Sequence, residues 1–366
     1  MNKNMTLAPP RKQRCSNLEL LRIFAMLSII AHHSVVNSGL TSTYDYLHPT
    51  AQQYFFEVWG MWGKTAINSF ILISGYFLCK QTLTWKRYVK LLFEILFYSY
   101  IIQLIFWSTG YEAFTLVGVV KPIVSLFQSI NSDFVASFMV FYAFVPLYNK
   151  LIGTLDQKMF QRFLLGILFV CTFTATFFHS STMNEPFWYA VLFFIAAYFR
   201  LYPNKYTDSR KVAIAGLILF AVLSIASVVV LVELGAKFGN SYWGLRRYYF
   251  VSDSNKLLSL GVGVFSFLTA KNMKSFTNRI INFFSAGTFA VLLIHAASDT
   301  MRHWLWKDLL AMPSLIHKDL LYVIAYSIPI PIVIYILCSL MDVLRRRYVE
   351  KPFMQWIDKY LSLIHI

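Results

Sequence analysis

NLELLRIFAMLSIIAHHS, residues 17–34, is a largely apolar run that is long enough as a helix to cross most of a hydrocarbon layer roughly 30 Å thick. Similar runs recur along the whole chain, which is 57% hydrophobic and only 14% charged. A soluble domain is closer to one quarter charged, because it needs a polar shell over its core. The runs also lack the two-residue alternation of barrel strands. The sequence therefore predicts an all-α integral membrane protein.

About ten transmembrane helices are predicted, together with a short re-entrant or interfacial segment near residues 117–130. With the N-terminus inside, 23 of the 33 Lys and Arg residues fall on cytoplasmic loops and tails and 8 on outside loops. By the positive-inside rule, both termini are cytoplasmic. The chain is expected to divide into a basic tail (1–17), a transmembrane domain (18–343) and a second basic tail (344–366). The predicted spans are 18–38, 58–79, 89–108, 134–151, 162–179, 186–202, 211–232, 255–270, 284–300 and 319–343.

The net charge of +16 is explained by topology and contact with membrane lipid, so nucleic acid is not an expected partner. The first apolar run is too long for a signal-peptide core and is expected to be retained. The cysteines form no metal or redox motif and are expected to be structural: Cys15, Cys79, Cys171 and Cys338.

The first span contains four ionisable residues, and such residues are expensive inside a membrane. Glu19 and Arg22 are three positions apart and can pair on one helix face. His33 returns to within roughly 20° of the Arg22 face and lies some 16 Å further along the helix, whereas His32 is turned about 80° away. One explanation is a helix anchored by a snorkelling arginine, with histidines that bond to neighbouring helices. The arrangement equally suits a cation for a phosphorylated donor and a distant base, and we favour His33 as the base and His32 as structural.

The second span carries the small polar residues Asn68, Ser69 and Ser74, with Gly63 and Gly75 allowing close helix approach. Helix packing and a functional site explain this pattern about equally well. The basic motif WKRYVK follows at the predicted cytoplasmic surface, where topology alone accounts for its charges. A further role in binding donor phosphates is the alternative for three of its residues, Lys86, Arg87 and Lys90.

Two further pairs are predicted from helical spacing. Glu94 has Lys90 one turn away, which favours a structural ion pair. His295 and Asp299 also share a helix face, where the carboxylate would either tune a base or simply satisfy a buried group. The outside loop YWGLRRYY, residues 242–249, mixes aromatic and guanidinium groups, as both sugar-binding surfaces and membrane interfaces do.

Five motifs in order give the chain a resemblance to the acyltransferase 3 family of membrane acyltransferases over nearly its whole length. They are Leu21-Arg22 with His33, FILISGYF (70–77), WKRYVK (85–90), SAGTFAVLLIH (285–295) and the closing VEKPF (349–353). The first two are most similar to bacterial members associated with capsule or exopolysaccharide synthesis. Glu19 departs mildly from the family, in which many members carry Asp.

The resemblance implies transfer of an acyl group, usually acetyl, from cytoplasmic acyl-CoA to a sugar hydroxyl outside a bacterial plasma membrane. It implies His33 as the catalytic base and Arg22 as a donor-side residue. Ser74 or Asn68 is a candidate donor of a hydrogen bond to the developing oxyanion, with His295 and Glu19 as further candidate site residues. Direct transfer and an acyl-histidine intermediate remain equal alternatives.

The expected partners are acyl-CoA, a sugar or polysaccharide acceptor and membrane lipid. No metal is expected, because no His/Asp/Glu cluster has ligand spacing. A transporter or flippase of glycan intermediates is the competing class, although no internal repeat or clear Gly/Pro-broken helix pair indicates one. A glycan polymerase is a third, but it would usually have a larger outside loop. The sequence does not determine the oligomeric state, and a dimer is one of the options.

Overall fold

A computed structural model describes residues 15–179 and 184–364, and in these ranges all regular secondary structure is helical. The first half contains α1 (Ser16–Val36), α2 (Ala51–Gly60), α3 (Gly63–Leu78), α4 (Trp85–Ser108), α5 (Leu116–Gln128), α6 (Phe134–Ile152), α7 (Gln157–Leu168), α8 (Thr174–Phe177) and α9 (Glu185–Leu201). The second half contains α10 (Arg210–Lys237), α11 (Ser241–Leu245), α12 (Leu257–Lys271), α13 (Arg279–Ser285), α14 (Thr288–His295), α15 (Asp299–His303), α16 (Leu320–Ser327), α17 (Pro329–Arg345) and α18 (Lys351–Ile364).

Short irregular helices complete the described chain. Two are 3₁₀ helices, Leu40–Thr43 and Met312–His317. Three are π-helical turns, Phe169–Phe173, Trp304–Leu309 and Arg346–Glu350. The predicted N-terminal tail lies almost entirely outside the described residues, and so do all four of its basic residues, Lys3, Arg11, Lys12 and Arg14.

Six helical segments of the described chain are long and apolar enough to cross a membrane: Ser16–Val36, Trp85–Ser108, Phe134–Ile152, Gln157–Phe177, Arg210–Lys237 and Leu320–Tyr360. The predicted all-α membrane class is thus confirmed at the level of helices and apolar spans. The other four predicted spans coincide with shorter elements, namely α3, α9, α12 and the pair α13 and α14. The segment predicted near 117–130 is a separate short helix, α5, which packs against α4 and α6.

Helix α1 lies at the centre of the bundle, where it contacts α3, α12, α13, α14 and α17. Close approach depends on small residues, since a Cβ built on Gly75 of α3 would lie 2.9 Å from the Phe193 Cα of α9. Such a distance forbids any larger side chain without a shift of the two helices. Gly75 therefore allows the close helix approach that was predicted for it in the second span.

The ninth predicted span, 284–300, is not one helix. Gly287 separates α13 from α14, and a built Cβ there would lie 3.1 Å from Asp342 Oδ2 of α17. Helix α14 then ends at His295, and the Ser298 side chain accepts a hydrogen bond from the Met301 N–H to begin α15. Pro329 likewise begins α17 directly after α16. The structure therefore contains helices interrupted at Gly287 and Pro329, whereas the sequence showed no clear helix pair broken by Gly or Pro.

A buried charge network joins α4 to the end of α17. The Arg345 side chain is 2% exposed and contacts Asp342 at 2.9 Å, Glu350 at 2.7 Å and Glu94 at 3.1 Å. Lys90 pairs with Glu350 at 2.6 Å. The predicted Glu94–Lys90 pair is therefore wrong, because a buried arginine from another helix reaches Glu94 while Lys90 bonds to the tail.

The second predicted tail packs back onto the bundle. After the π-helical turn, α18 lies beside α4, and the Phe353 ring stacks on the Phe93 ring with centroids 4.0 Å apart. Glu350, in the closing VEKPF motif, connects Arg345 with Lys90. The tail motif thus has a structural role that its sequence alone does not reveal.

Candidate active site

A cavity of about 490 Å³ lies at the end of the bundle that the charge distribution assigns to the outside. Its walls come from α1, α3, α4, α5, α6, α9, α14 and the segment that follows α14. Both apolar and polar groups line it, as is usual for a small-molecule site. Its polar lining includes His32, His33, Lys64, Gln103, Asp133, Glu185 and Arg302.

Two histidines from distant parts of the chain meet beside this cavity. His33 Nδ1 lies 3.0 Å from His295 Nε2, and the residues are 262 positions apart. His295 is fully buried, and its Nδ1 lies 2.6 Å from the Val291 carbonyl oxygen. His33 is half-buried and lines the cavity. The predicted site residues His33 and His295 are therefore brought together.

The hydrogen bonds assign a tautomer to each neutral ring. A carbonyl oxygen only accepts, so His295 Nδ1–H donates to Val291 and His295 Nε2 becomes an acceptor. His33 Nδ1–H must then donate to His295 Nε2. His33 Nε2 is left with its lone pair, on a residue that lines the cavity. This is the protonation state that a general base requires.

The neighbouring His32 has a different environment. Its Nδ1–H donates to the Gly60 carbonyl at 2.5 Å, which holds α1 against the end of α2. A Cβ built on Gly63 would lie 2.4 Å from this ring, so the imidazole fills the space that the glycine leaves. The geometry supports the interpretation of His32 as structural.

Asp299 does not hold His295. The carboxylate is 89% exposed and pairs with Arg302 at 3.1 Å, one helical turn further on. The predicted pair relies on four-residue spacing in one continuous helix, but the chain leaves the helix between Ala296 and Ser298. The prediction is therefore wrong, and His33 takes the place of the carboxylate as the neighbour of His295.

Arg22 and Glu19 pair as predicted, with Arg22 Nη1 at 2.8 Å from Glu19 Oε2. The guanidinium also lies 5.9 Å from the centre of the Phe70 ring. Helical rise places Arg22 about 16 Å from His33 along α1. Neither Arg22 nor Glu19 lines the cavity that contains His33.

The three candidate donor-phosphate residues are already paired within the protein. Lys86 contacts Asp358 of α18 at 2.5 Å, and Lys90 contacts Glu350. Arg87 donates to the Gln81 side-chain carbonyl at 3.0 Å. They lie on the predicted cytoplasmic side, and none of them lines the cavity.

The structure places Asn68 and Ser74 away from the cavity lining. Asn68 is fully buried, donates to the Ser254 carbonyl at 2.7 Å and accepts from Trp188 Nε1–H at 2.9 Å. Ser74 donates to the Phe70 carbonyl within α3 at 3.0 Å. The polar groups of both residues serve contacts within and between helices here, and an oxyanion role for either one stays a prediction.

Sequence reasoning missed several residues of the cavity wall. Lys64 pairs with Glu185 of α9 at 3.0 Å. Gln103 donates to the Gly118 carbonyl at 2.9 Å and so holds α5 at the cavity wall. Arg302 also lines the cavity. The one available signal was the presence of ionisable residues at the outer ends of predicted spans.

The predicted outside loop 242–249 uses its two guanidinium groups differently. Arg247 pairs with Glu57 of α2 at 2.5 Å, and burial raises the pKa of the Glu57 carboxyl although the guanidinium opposes this shift. Arg246 stacks on Tyr242, with its guanidinium carbon 3.7 Å from the ring centre. Of the two guanidinium groups in this loop, the one on Arg247 is therefore used in an ion pair within the fold.

The four cysteines all carry free thiols, three of them buried. Among residues 15–179 and 184–364, no group of three or more His, Cys, Asp or Glu side chains is arranged to hold a metal ion.

The fold and cavity define a helical membrane protein with an unprotonated imidazole nitrogen at the end of a two-histidine chain. The family model described as an acyltransferase domain, Acyl_transf_3, matches residues 16–341. The chain belongs to the acyltransferase 3 family and is a membrane acyltransferase. No significant match was found among curated proteins or solved structures.

Proposed function

We propose that this protein is a multi-pass O-acyltransferase of a bacterial plasma membrane with both termini in the cytoplasm. It transfers an acyl group, with acetyl the expected one, from cytoplasmic acyl-CoA to a hydroxyl of an extracytoplasmic or lipid-linked surface polysaccharide. The observation that carries the proposal is the chain from His33 through His295 to the Val291 carbonyl. It leaves His33 Nε2 as a proton acceptor at the cavity.

The chemistry follows from the low nucleophilicity of a sugar hydroxyl. His33 Nε2 takes the hydroxyl proton while the oxygen attacks the thioester carbonyl, and such base catalysis contributes about 10²–10⁴-fold. The new imidazolium donates through Nδ1–H to His295, so the positive charge lies beside a buried acceptor. When the C–S bond breaks, the thiolate takes the proton from His33. The products are the sugar ester and free CoA, with His33 neutral again.

The two ends of α1 separate the donor's headgroup from the reacting carbonyl. Arg22 is the donor-side cation, and Lys86, Arg87 and Lys90 supply positive charge for the CoA phosphates. The axial distance of about 16 Å between Arg22 and His33 is one that an extended pantetheine arm can cover. Ile29 of α1 lies between these two residues along the helix, and it lines the cavity together with Ile67 and Ile95. We expect donor binding to displace apolar side chains of this lining.

The test is the ester content of surface polysaccharide in cells that lack the gene. Wild type, His33→Ala and His48→Ala are expressed, and base-labile acyl groups are quantified by proton NMR before and after mild alkali. His48 is the matched control because its side chain is 84% exposed on an outside loop. Wild type and His48→Ala should restore the ester signal, whereas His33→Ala should lose it at equal membrane abundance.

A transporter would give a different pattern. Polysaccharide would reach the surface only in cells with the wild-type protein, and it would carry no ester in any strain. That result would replace the acyltransferase proposal with the carrier alternative. Ester formation by His33→Ala at the wild-type level would reject His33 as the base.

A further inference from the structure

The Lys64 ammonium and the Arg302 guanidinium belong to the lining of the cavity that also contains the His33 imidazole. A negative charge that forms next to His33 is therefore attracted by both cations, and more strongly than it would be in water.

The two cations differ in how far their charge is already compensated. Lys64 pairs with Glu185 at 3.0 Å, and the two side chains are 30% and 18% exposed. Arg302 pairs with Asp299 at 3.1 Å, but that carboxylate is 89% exposed. Solvent screens a pair of this kind, so it contributes little. Of these two cations, Arg302 is thus the one whose charge is less compensated by its partner.

Three other hydrogen-bond donors of the cavity wall are already used within the fold. His32 Nδ1–H bonds to Gly60, and the Gln103 amide bonds to Gly118. The Ser99 hydroxyl donates to the Ile95 carbonyl within α4. On the opposite wall, Asp133 uses Oδ1 to cap α6 and is an acceptor only. An oxyanion at His33 therefore needs a donor that these groups do not provide.

We propose that Arg302 is a catalytic residue that stabilises the oxyanion formed when the acceptor hydroxyl attacks the thioester carbonyl. The inference rests on the proposed function. The oxygen of the acceptor forms the new C–O bond, the carbonyl oxygen gains the negative charge beside the guanidinium, and His33 Nε2 holds the transferred proton. Collapse breaks the C–S bond, and the thiolate leaves with that proton. Loss of such a donor typically reduces kcat by about 10²–10³-fold.

The experiment uses the full chain in lipid nanodiscs, radiolabelled acetyl-CoA and surface polysaccharide stripped of esters with mild base. Initial rates are measured for wild type, Arg302→Gln, Arg302→Lys and Asp299→Asn, with thermal unfolding of each variant as the check on folding. We expect kcat to fall at least 100-fold in Arg302→Gln, with KM for both substrates unchanged. Arg302→Lys should recover at least tenfold of that loss, and Asp299→Asn should stay within twofold of wild type.

Chemical rescue separates the proposed role from a structural one. Arg302→Ala should regain activity when millimolar guanidinium is added, because the ion can occupy the vacated position beside His33. Wild-type kcat in a folded Arg302→Gln, or a rise in polysaccharide KM with kcat unchanged, would overturn the proposal. Equal losses in Asp299→Asn and Arg302→Gln would do so too. If the wild type is inactive in this assay, both the proposed function and the role of Arg302 are overturned. If the wild type is active and the Arg302 variants do not behave as expected, only the role of Arg302 is overturned.

Discussion

His33 donates from Nδ1 to Nε2 of His295 at 3.0 Å, and His295 in turn donates to the Val291 carbonyl at 2.6 Å. The three groups form a directional chain, because only the last one is restricted to accepting. The direction matters for chemistry, since it places the lone pair on His33 rather than on the buried His295. Burial of His295 also keeps this arrangement away from solvent.

The first prediction concerns His295 as a positioning residue. His295→Leu removes the acceptor for His33 Nδ1–H, so the ring can rotate or exchange tautomers, and we expect kcat to fall about 10–100-fold, a part of the contribution of a general base. His295→Gln offers an amide oxygen to the same N–H and should retain more activity than His295→Leu. The measurement is kcat as a function of pH for both variants. Equal kcat losses in the two would show that the acceptor is not what matters.

The second prediction concerns the glycine under His32. Gly63→Ala places a methyl group where a Cβ would lie 2.4 Å from the His32 ring, and overpacking of this kind costs about 1–3 kcal/mol. The melting temperature in detergent should fall by several degrees. Gly166→Ala is the matched control, because a Cβ there meets nothing within 4 Å on helix α7. A Gly63→Ala variant that melts with the wild type would contradict the close packing of His32.

The third prediction concerns the buried network at the end of α17. Arg345→Met leaves Glu94, Asp342 and Glu350 without their shared partner, and breaking a buried pair from one side costs about 3–5 kcal/mol. We expect strong loss of folded protein from the membrane fraction. Lys86→Met removes an exposed pair and should leave the melting temperature unchanged. Comparable yields of folded Arg345→Met and wild type would count against the network.

The fourth prediction concerns Asp358 of α18, whose carboxylate pairs with the Lys86 ammonium. Asp358→Asn frees this ammonium for the CoA phosphates, so the KM for acetyl-CoA should fall about 1.5- to 5-fold, the factor that corresponds to roughly 0.2–1 kcal/mol for an exposed pair. Lys86→Gln should raise the same KM. Asp253→Asn, an exposed carboxylate on the predicted outer side, is the control and should change nothing. A KM that is the same in all variants would remove Lys86 from the donor site.

Several local features follow from the sequence with little ambiguity. The pairing of Glu19 with Arg22 needs only three-residue spacing on one helix, and the structure confirms it. His32 and His33 point from different faces of α1, which follows from the 100° turn between adjacent helical residues. Packing at Gly75 follows from the smallness of its side chain in an apolar helix.

Spacing failed where a helix was interrupted or where a more distant partner competed. Asp299 was predicted beside His295, but the helix ends at His295 and the carboxylate turns to Arg302. Glu94 was predicted to pair with Lys90, but Arg345 arrives from a helix 251 positions later in the chain. The local pattern of polar and apolar residues predicts neither the end of α14 at His295 nor the contact of Arg345 with Glu94.

The amino-acid order was enough to establish an all-helical membrane protein, the positions of its apolar segments and a first helix with ionisable residues at both ends. These properties depend on hydrophobicity and on helical periodicity, which act over a few turns. The joining of His33 to His295 across 262 positions required the folded chain. It depends on α1 packing against α14 and on the end of that helix at the cavity. Long-range packing controls both, because van der Waals contacts and hydrogen bonds between helices, rather than local preference, select which helices become neighbours.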